Sequence, residues 1–109
     1  MRVSKQTAIL LKEAGYDVPC NLVPNSCIVD DNGNILYLPT LHEAADWLRS
    51  QGVHVVAIPA SPEMNSILWI DCIFTKDIDG YWNHKVSGLG VYQSHDTAYE
   101  AGIVHGLKY

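Results

Sequence analysis

A chain of 109 residues with 48% hydrophobic and 17% charged content has the size and balance of one folded domain, and this excludes a disordered segment. Its formal net charge is −5 and its 7 Lys and Arg are scattered, which argues against nucleic acid or an anionic membrane surface as partner. No apolar run approaches the roughly 20 residues of a membrane span, and MRVSKQTAILLKEAG lacks a signal peptide's apolar core and cleavage site, so a cytoplasmic protein is expected.

The first element is a helix over Ser4–Gly15. Ser4 is a good N-cap, Thr7, Leu10, Leu11 and Ala14 share one side, and Gly15 closes it. Tyr16–Asn25 holds Pro19 and Pro24 and reads as irregular. Ser26–Val29 and Ile35–Leu38 are short β-prone runs around Asp30-Asp31-Asn32-Gly33-Asn34, and Asn32-Gly33 marks a hairpin turn. A calcium loop would place glycine sixth in the loop; here it is fourth from Asp30, so turn chemistry is the reading.

Thr40–Ile58 is the central unit. Thr40 and Glu43 have capping-box spacing, Leu41, Ala44, Ala45 and Leu48 form one helical stripe, and Gly52 is the expected stop. Asp46, Arg49 and Gln51 fall off the stripe and should be wet, with Trp47 half covered. From Val53 to Ile58 the period becomes that of a strand, apolar on both faces.

Ser61-Pro62-Glu63-Met64-Asn65 reads as a loop and Ile67–Thr75 as the most apolar strand. Lys76–Gly80 is a turn and Tyr81–Ser87 the return strand. A turn centred on Ile78 sets Phe74 opposite Trp82, Cys72 opposite His84, and Asp71 opposite Lys85 as a charge pair. Phe74, Cys72, Ile70 and Trp82 then point toward the helices. Trp69, Ile73 and Tyr81 point away, joined by His54, Val56 and Ile58 of the central strand. Those six residues make an apolar outer face, expected either to lie under the Ser26–Leu38 hairpin or to bind a second copy or a protein partner. Ser94–Tyr109 is the last helix, where Gly102 marks a close approach to the sheet or another helix. The order is α-β-β-α-β-β-β-α: a single α+β domain over 1–109, an antiparallel sheet with helices mainly on one face.

Several stretches carry a likeness. Lys12-Glu13-Ala14-Gly15-Tyr16-Asp17-Val18-Pro19-Cys20, Trp47-Leu48-Arg49 with Gly52-Val53-His54-Val55, and Tyr99-Glu100-Ala101-Gly102-Ile103 resemble a group of small bacterial proteins without an assigned activity, many from prophage-like regions. The resemblance implies a phage or mobile-element origin and carries no activity, cofactor or catalytic residue.

Chemistry is sparse. Cys72 and His84, facing across the hairpin, would be a thiol–imidazole pair for a small cysteine-dependent enzyme, but no third orienting group or oxyanion loop accompanies them. The five histidines include no i, i+4 pair and no CxxC partner, so no metal is expected, and Gly88–Gly90 lacks a phosphate-cradle pattern, so no cofactor is expected. Three cysteines cannot all pair within one chain, and without an export signal Cys20, Cys27 and Cys72 are expected to be free. A protein-interaction or accessory module, forming a homodimer or holding a protein partner through the outer face, is therefore the leading expectation.

Overall fold

The computed structural model describes residues 1–20, 24–60 and 68–109. The predicted loop Ser61–Asn65 and the first residue of the predicted strand, Ile67, lie outside the described residues, as do residues 21–23 of the irregular segment. The elements are α1 (Lys5–Glu13), β1 (Cys27–Val29), β2 (Ile35–Tyr37), α2 (Leu41–Ser50), β3 (Val53–Pro59), β4 (Trp69–Lys76), β5 (Trp82–Tyr92) and α3 (His95–Gly106), with a single 3-10 turn over Pro24–Ser26 before β1. The fold is α+β in the expected order, with two antiparallel sheets, β1-β2 and β3-β4-β5.

Local chemistry places each helix. Ser4 accepts a hydrogen bond from the Thr7 amide and starts α1. Thr40 accepts from the Glu43 amide while the Glu43 carboxylate accepts from the Thr40 amide, the reciprocal capping box that starts α2. Leu41, Ala44, Ala45 and Leu48 are buried and Arg49 is exposed, as the periodicity requires. In α1 the buried face is Thr7, Ala8 and Leu11; Leu10 and Ala14 are exposed, which corrects the expected stripe. Adjacent leucines leave the pattern ambiguous there. The face is selected by tertiary contacts: the Thr7 hydroxyl donates to the Glu100 carboxylate of α3, and Lys12 Nζ donates to the Ile35 carbonyl on the opposite flank.

The β1–β2 and β4–β5 turns are each built by an aspartate of their own. Asp30 Oδ1 accepts from the Asn32 and Asn34 amides, and Asp77 Oδ1 accepts from those of Asp79 and Tyr81. These amide bonds hold both carboxyls below the usual aspartate range. Gly33 and Gly80 take the positive φ that closes each turn.

The Asp77 turn corrects the expected β4–β5 register. Asp77 and Tyr81 are joined backbone to backbone, so the turn centres on Asp79 rather than Ile78. Phe74 then lies opposite His84 and Lys76 opposite Trp82, while irregularities further along set Cys72 opposite Ser87. The faces of β4 are inverted from expectation. Val53 and Val55 of β3 point inward with Ile73, which is fully buried, while His54, Val56 and Ile58 share the outer face with Phe74, Cys72 and Ile70. The reason is Asp71. A carboxylate is costly to bury, so its strand face reads as wet. In the fold it is fully buried, bonded to His105 of α3 rather than to Lys85.

The core runs from Leu11 and Leu36 through Leu41, Ala44 and Leu48 to Val53, Val55, Ile73 and Ile103. α3 lies directly on β3: a Cβ built at Gly102 would stand 2.5 Å from Val55 Cγ1 and 3.1 Å from Asp71 Cβ. Gly102 is thus the close approach expected. The β1-β2 hairpin packs beside α1 on the helical side and joins Tyr16, Tyr37 and Trp47 in an aromatic cluster. It does not fold across the outer face of the larger sheet.

Cys20 and Cys27 are joined in a disulfide, and Cys72 alone is free and buried. This overturns the expectation of three free thiols. The two Cα atoms stand 6.0 Å apart, within the reach of a disulfide. An odd cysteine count could not reveal that proximity.

Candidate functional site

The outer face of the β3-β4-β5 sheet carries a cluster of aromatic and basic side chains. The His54 ring sits between Phe74, at 6.0 Å, and Trp82, at 5.8 Å. The antiparallel registers make this inevitable: His54 is opposite Phe74, and Trp82 is opposite Lys76, one outward step along β4. Lys76 Nζ lies 5.8 Å from the Trp82 ring centroid, a cation–π contact. Arg49 reaches this face from the last turn of α2, because Gly52 reverses the chain at a positive φ and returns β3 alongside it. Its Nε donates to His54 Nδ1 at 3.3 Å. Burial, and then the Arg49 charge, pushes the His54 imidazole below its ordinary value, which favours the neutral ring as acceptor. Arg49, His54, Val56, Phe74 and Trp82 line a shallow, open concavity of about 610 Å³, and Lys76 stands beside it on the Trp82 ring.

The residues expected to mark this face divide. His54, Val56 and Ile58 are there. Trp69 and Ile73 are not: Trp69 packs edge-on against His95 of α3 at 5.1 Å, and Ile73 belongs to the core. Tyr81 precedes β5 in the turn and is exposed there. Phe74 and Trp82, expected inside, belong to the outer cluster, and Arg49, expected only to be wet, completes it. The missed signal was Arg49 and His54 flanking the Gly52 turn, close enough to meet once the strand reverses.

Cys72 and His84 do not face each other. The imidazole packs edge-on against Phe74 at 5.7 Å, and Cys72 lies opposite Ser87. Burial, and then the neighbouring Asp71 charge, pushes the Cys72 thiol up from its ordinary value. A nucleophilic cysteine needs the reverse shift.

The second polar cluster lies inside. His105 Nδ1 and Asp71 Oδ2 are 2.7 Å apart, and Asp71 Oδ1 is buried with no hydrogen-bond partner among the described residues. A carboxylate that orients an imidazole is one part of an acid–base arrangement. Among the described residues no hydroxyl or thiol is hydrogen-bonded to His105, so the pair's evident work is to fasten α3 to β4. Glu100 fastens the other side of the helix, accepting from the Ser4 amide and the Thr7 hydroxyl. Among the described residues no group of three or more His, Cys, Asp or Glu is arranged to hold a metal ion, and no helix is long and apolar enough to cross a membrane.

Comparison with models of known protein families, with curated proteins and with solved structures returns no match to this chain. The geometry of the site alone therefore carries the functional reading.

Proposed function

We propose that this chain is a protein-interaction module that binds through the outer face of the β3-β4-β5 sheet. One observation carries the reading: Val56, Ile58, Phe74 and Trp82 share a face opposite the one on which α3 lies, and the hairpin that could have covered it packs beside α1. Contiguous apolar surface of this kind usually meets a partner, and Trp is a favoured anchor. The raised Cys72 thiol and its separation from His84 in the register weigh against the cysteine-enzyme alternative. The likeness to small prophage-encoded proteins fits an accessory factor of phage or mobile-element origin. A cytoplasmic home keeps less support, since bonded Cys20 and Cys27 remove the free-thiol argument for a reducing compartment.

The test is selection from a random peptide display library on the immobilised chain, with a Trp82→Asp variant as comparison. Binders that are lost on Trp82→Asp, with the melting curve unchanged, support the reading. Recovery of no binder, or only of binders indifferent to that change, defeats it.

A further inference from the structure

We infer that the segment this face takes is acidic, with an aliphatic or aromatic anchor beside its carboxylates. The inference rests on the outer face being the binding surface. Its ground is a charge pattern opposite to that of the whole chain, whose net charge is −5. Arg49 spends only its Nε, on His54, which leaves the rest of its guanidinium fork without a carboxylate among the described residues. Lys76 rests on the Trp82 ring and likewise has no ion-pair partner among the described residues. None of the outward positions of the three strands is Asp or Glu: Asp71 points inward to His105, and the Asp77 carboxylate is taken up by its own turn and by Asn83.

The neutral His54 ring is what holds the arrangement. It positions Arg49 beside the aromatic floor without adding or cancelling charge. A bound segment would lay its apolar side chain on Val56, Phe74 and Trp82, and set a carboxylate in the Arg49 fork, where paired N–H donors match a carboxylate's two oxygens. Lys76 stands at the Trp82 end for a second carboxylate.

The same pattern disfavours the other occupants. In a two-fold dimer the patch meets itself. Arg49 and Lys76 would then face aromatic rings and other cations, with no carboxylate at the paired strand positions or in the concavity lining of that face to receive them. A single-stranded nucleic acid could stack on Trp82, but affinity for it comes from neutralising several phosphates in a row, and two cations on an acidic chain do not provide that.

The same peptide selection decides, read for sequence. Recovered peptides should be rich in Asp and Glu next to Leu, Phe or Trp. One such peptide, synthesised as the probe, should bind about tenfold more weakly to Arg49→Glu and to Lys76→Glu, the scale of one lost charge-assisted contact. Its affinity should also fall as salt is added. Both side chains are exposed, so neither variant should change the melting curve. Neutral or basic peptides that are lost on Trp82→Asp but kept by Arg49→Glu would overturn this inference and leave the interaction surface standing. Absence of any Trp82-dependent binder would overturn both. Self-association in sedimentation that Trp82→Asp abolishes, or an oligo-dT probe bound more tightly than every peptide, would overturn it in favour of a second copy or a nucleic acid.

Discussion

Gly102→Ala sets two known effects against each other at one site. In an open helix position alanine would be favoured over glycine by about 1 kcal/mol. Here the new methyl would lie 2.5 Å from Val55 Cγ1, against an ordinary carbon–carbon separation of about 3.5–4.0 Å. Val55 cannot turn aside: it is β-branched, almost fully buried, and held in β3 by pairing with Ile73. Asp71 Cβ closes the other side at 3.1 Å. Relief requires α3 to lift from the sheet, which would also stretch the His105–Asp71 contact of 2.7 Å. Overpacking of this kind costs about 1–3 kcal/mol, so once about 1 kcal/mol of helix propensity is credited the net loss expected is between zero and about 2 kcal/mol, with no gain. The assay is urea denaturation of wild type, Gly102→Ala, Val55→Ala and the double variant. Val55→Ala alone should cost about 2 kcal/mol for lost burial. Adding Gly102→Ala to it should recover stability, because the new methyl occupies space that Cγ1 has vacated. The cycle should therefore show a coupling of at least 1 kcal/mol, well beyond the ~0.3–0.5 kcal/mol within which independent sites add. A rise in midpoint for Gly102→Ala alone, or an additive cycle, would refute the close packing of α3 on β3.

Four further outcomes are expected. Leu48→Ala should lower stability by about 2–5 kcal/mol, as buried leucine truncations do, while Arg49→Ala changes it little; equal midpoints for wild type and Leu48→Ala would contradict the core. A thiol assay on denatured, unreduced protein should find one reactive cysteine, and reduction should cost about 2–3 kcal/mol by releasing the closed loop, both readable in one denaturation series with and without reductant. His105→Ala should cost about 2–3 kcal/mol, since it leaves the buried Asp71 carboxylate without its partner; chemical denaturation near pH 7 measures this. His54 has a folded-state pKa below its unfolded value, so the unfolded chain binds more protons, and its share of stability is lost as pH falls below about 6.5. A His54→Gln variant should flatten that part of a stability–pH curve, and an unchanged slope would count against the partly buried, neutral ring.

The sequence by itself determined what depends on neighbours along the chain. Thr40 and Glu43 cap α2 because a hydroxyl and a carboxylate three residues apart reach each other's amides whatever lies beyond. Leu41, Ala44, Ala45 and Leu48 form a buried stripe because helical pitch puts them on one side. The Asn32-Gly33 hairpin and the element order follow from turn chemistry of the same local kind. Of the outer-face residues, His54, Val56 and Ile58 were legible from strand period alone. The tertiary structure decided everything that joins distant residues. It inverted β4, because alternation cannot choose between two apolar faces, and the residue that seemed to choose, Asp71, is buried against a histidine 34 positions away. It moved the β4–β5 register by two residues, because the Asp77 carboxylate binds the Tyr81 amide and widens the turn. It paired Cys20 with Cys27, and it brought Arg49 round the edge of β3 to His54. A buried charge or a disulfide becomes favourable only when its partner is already in place, and that placement is a property of the whole fold.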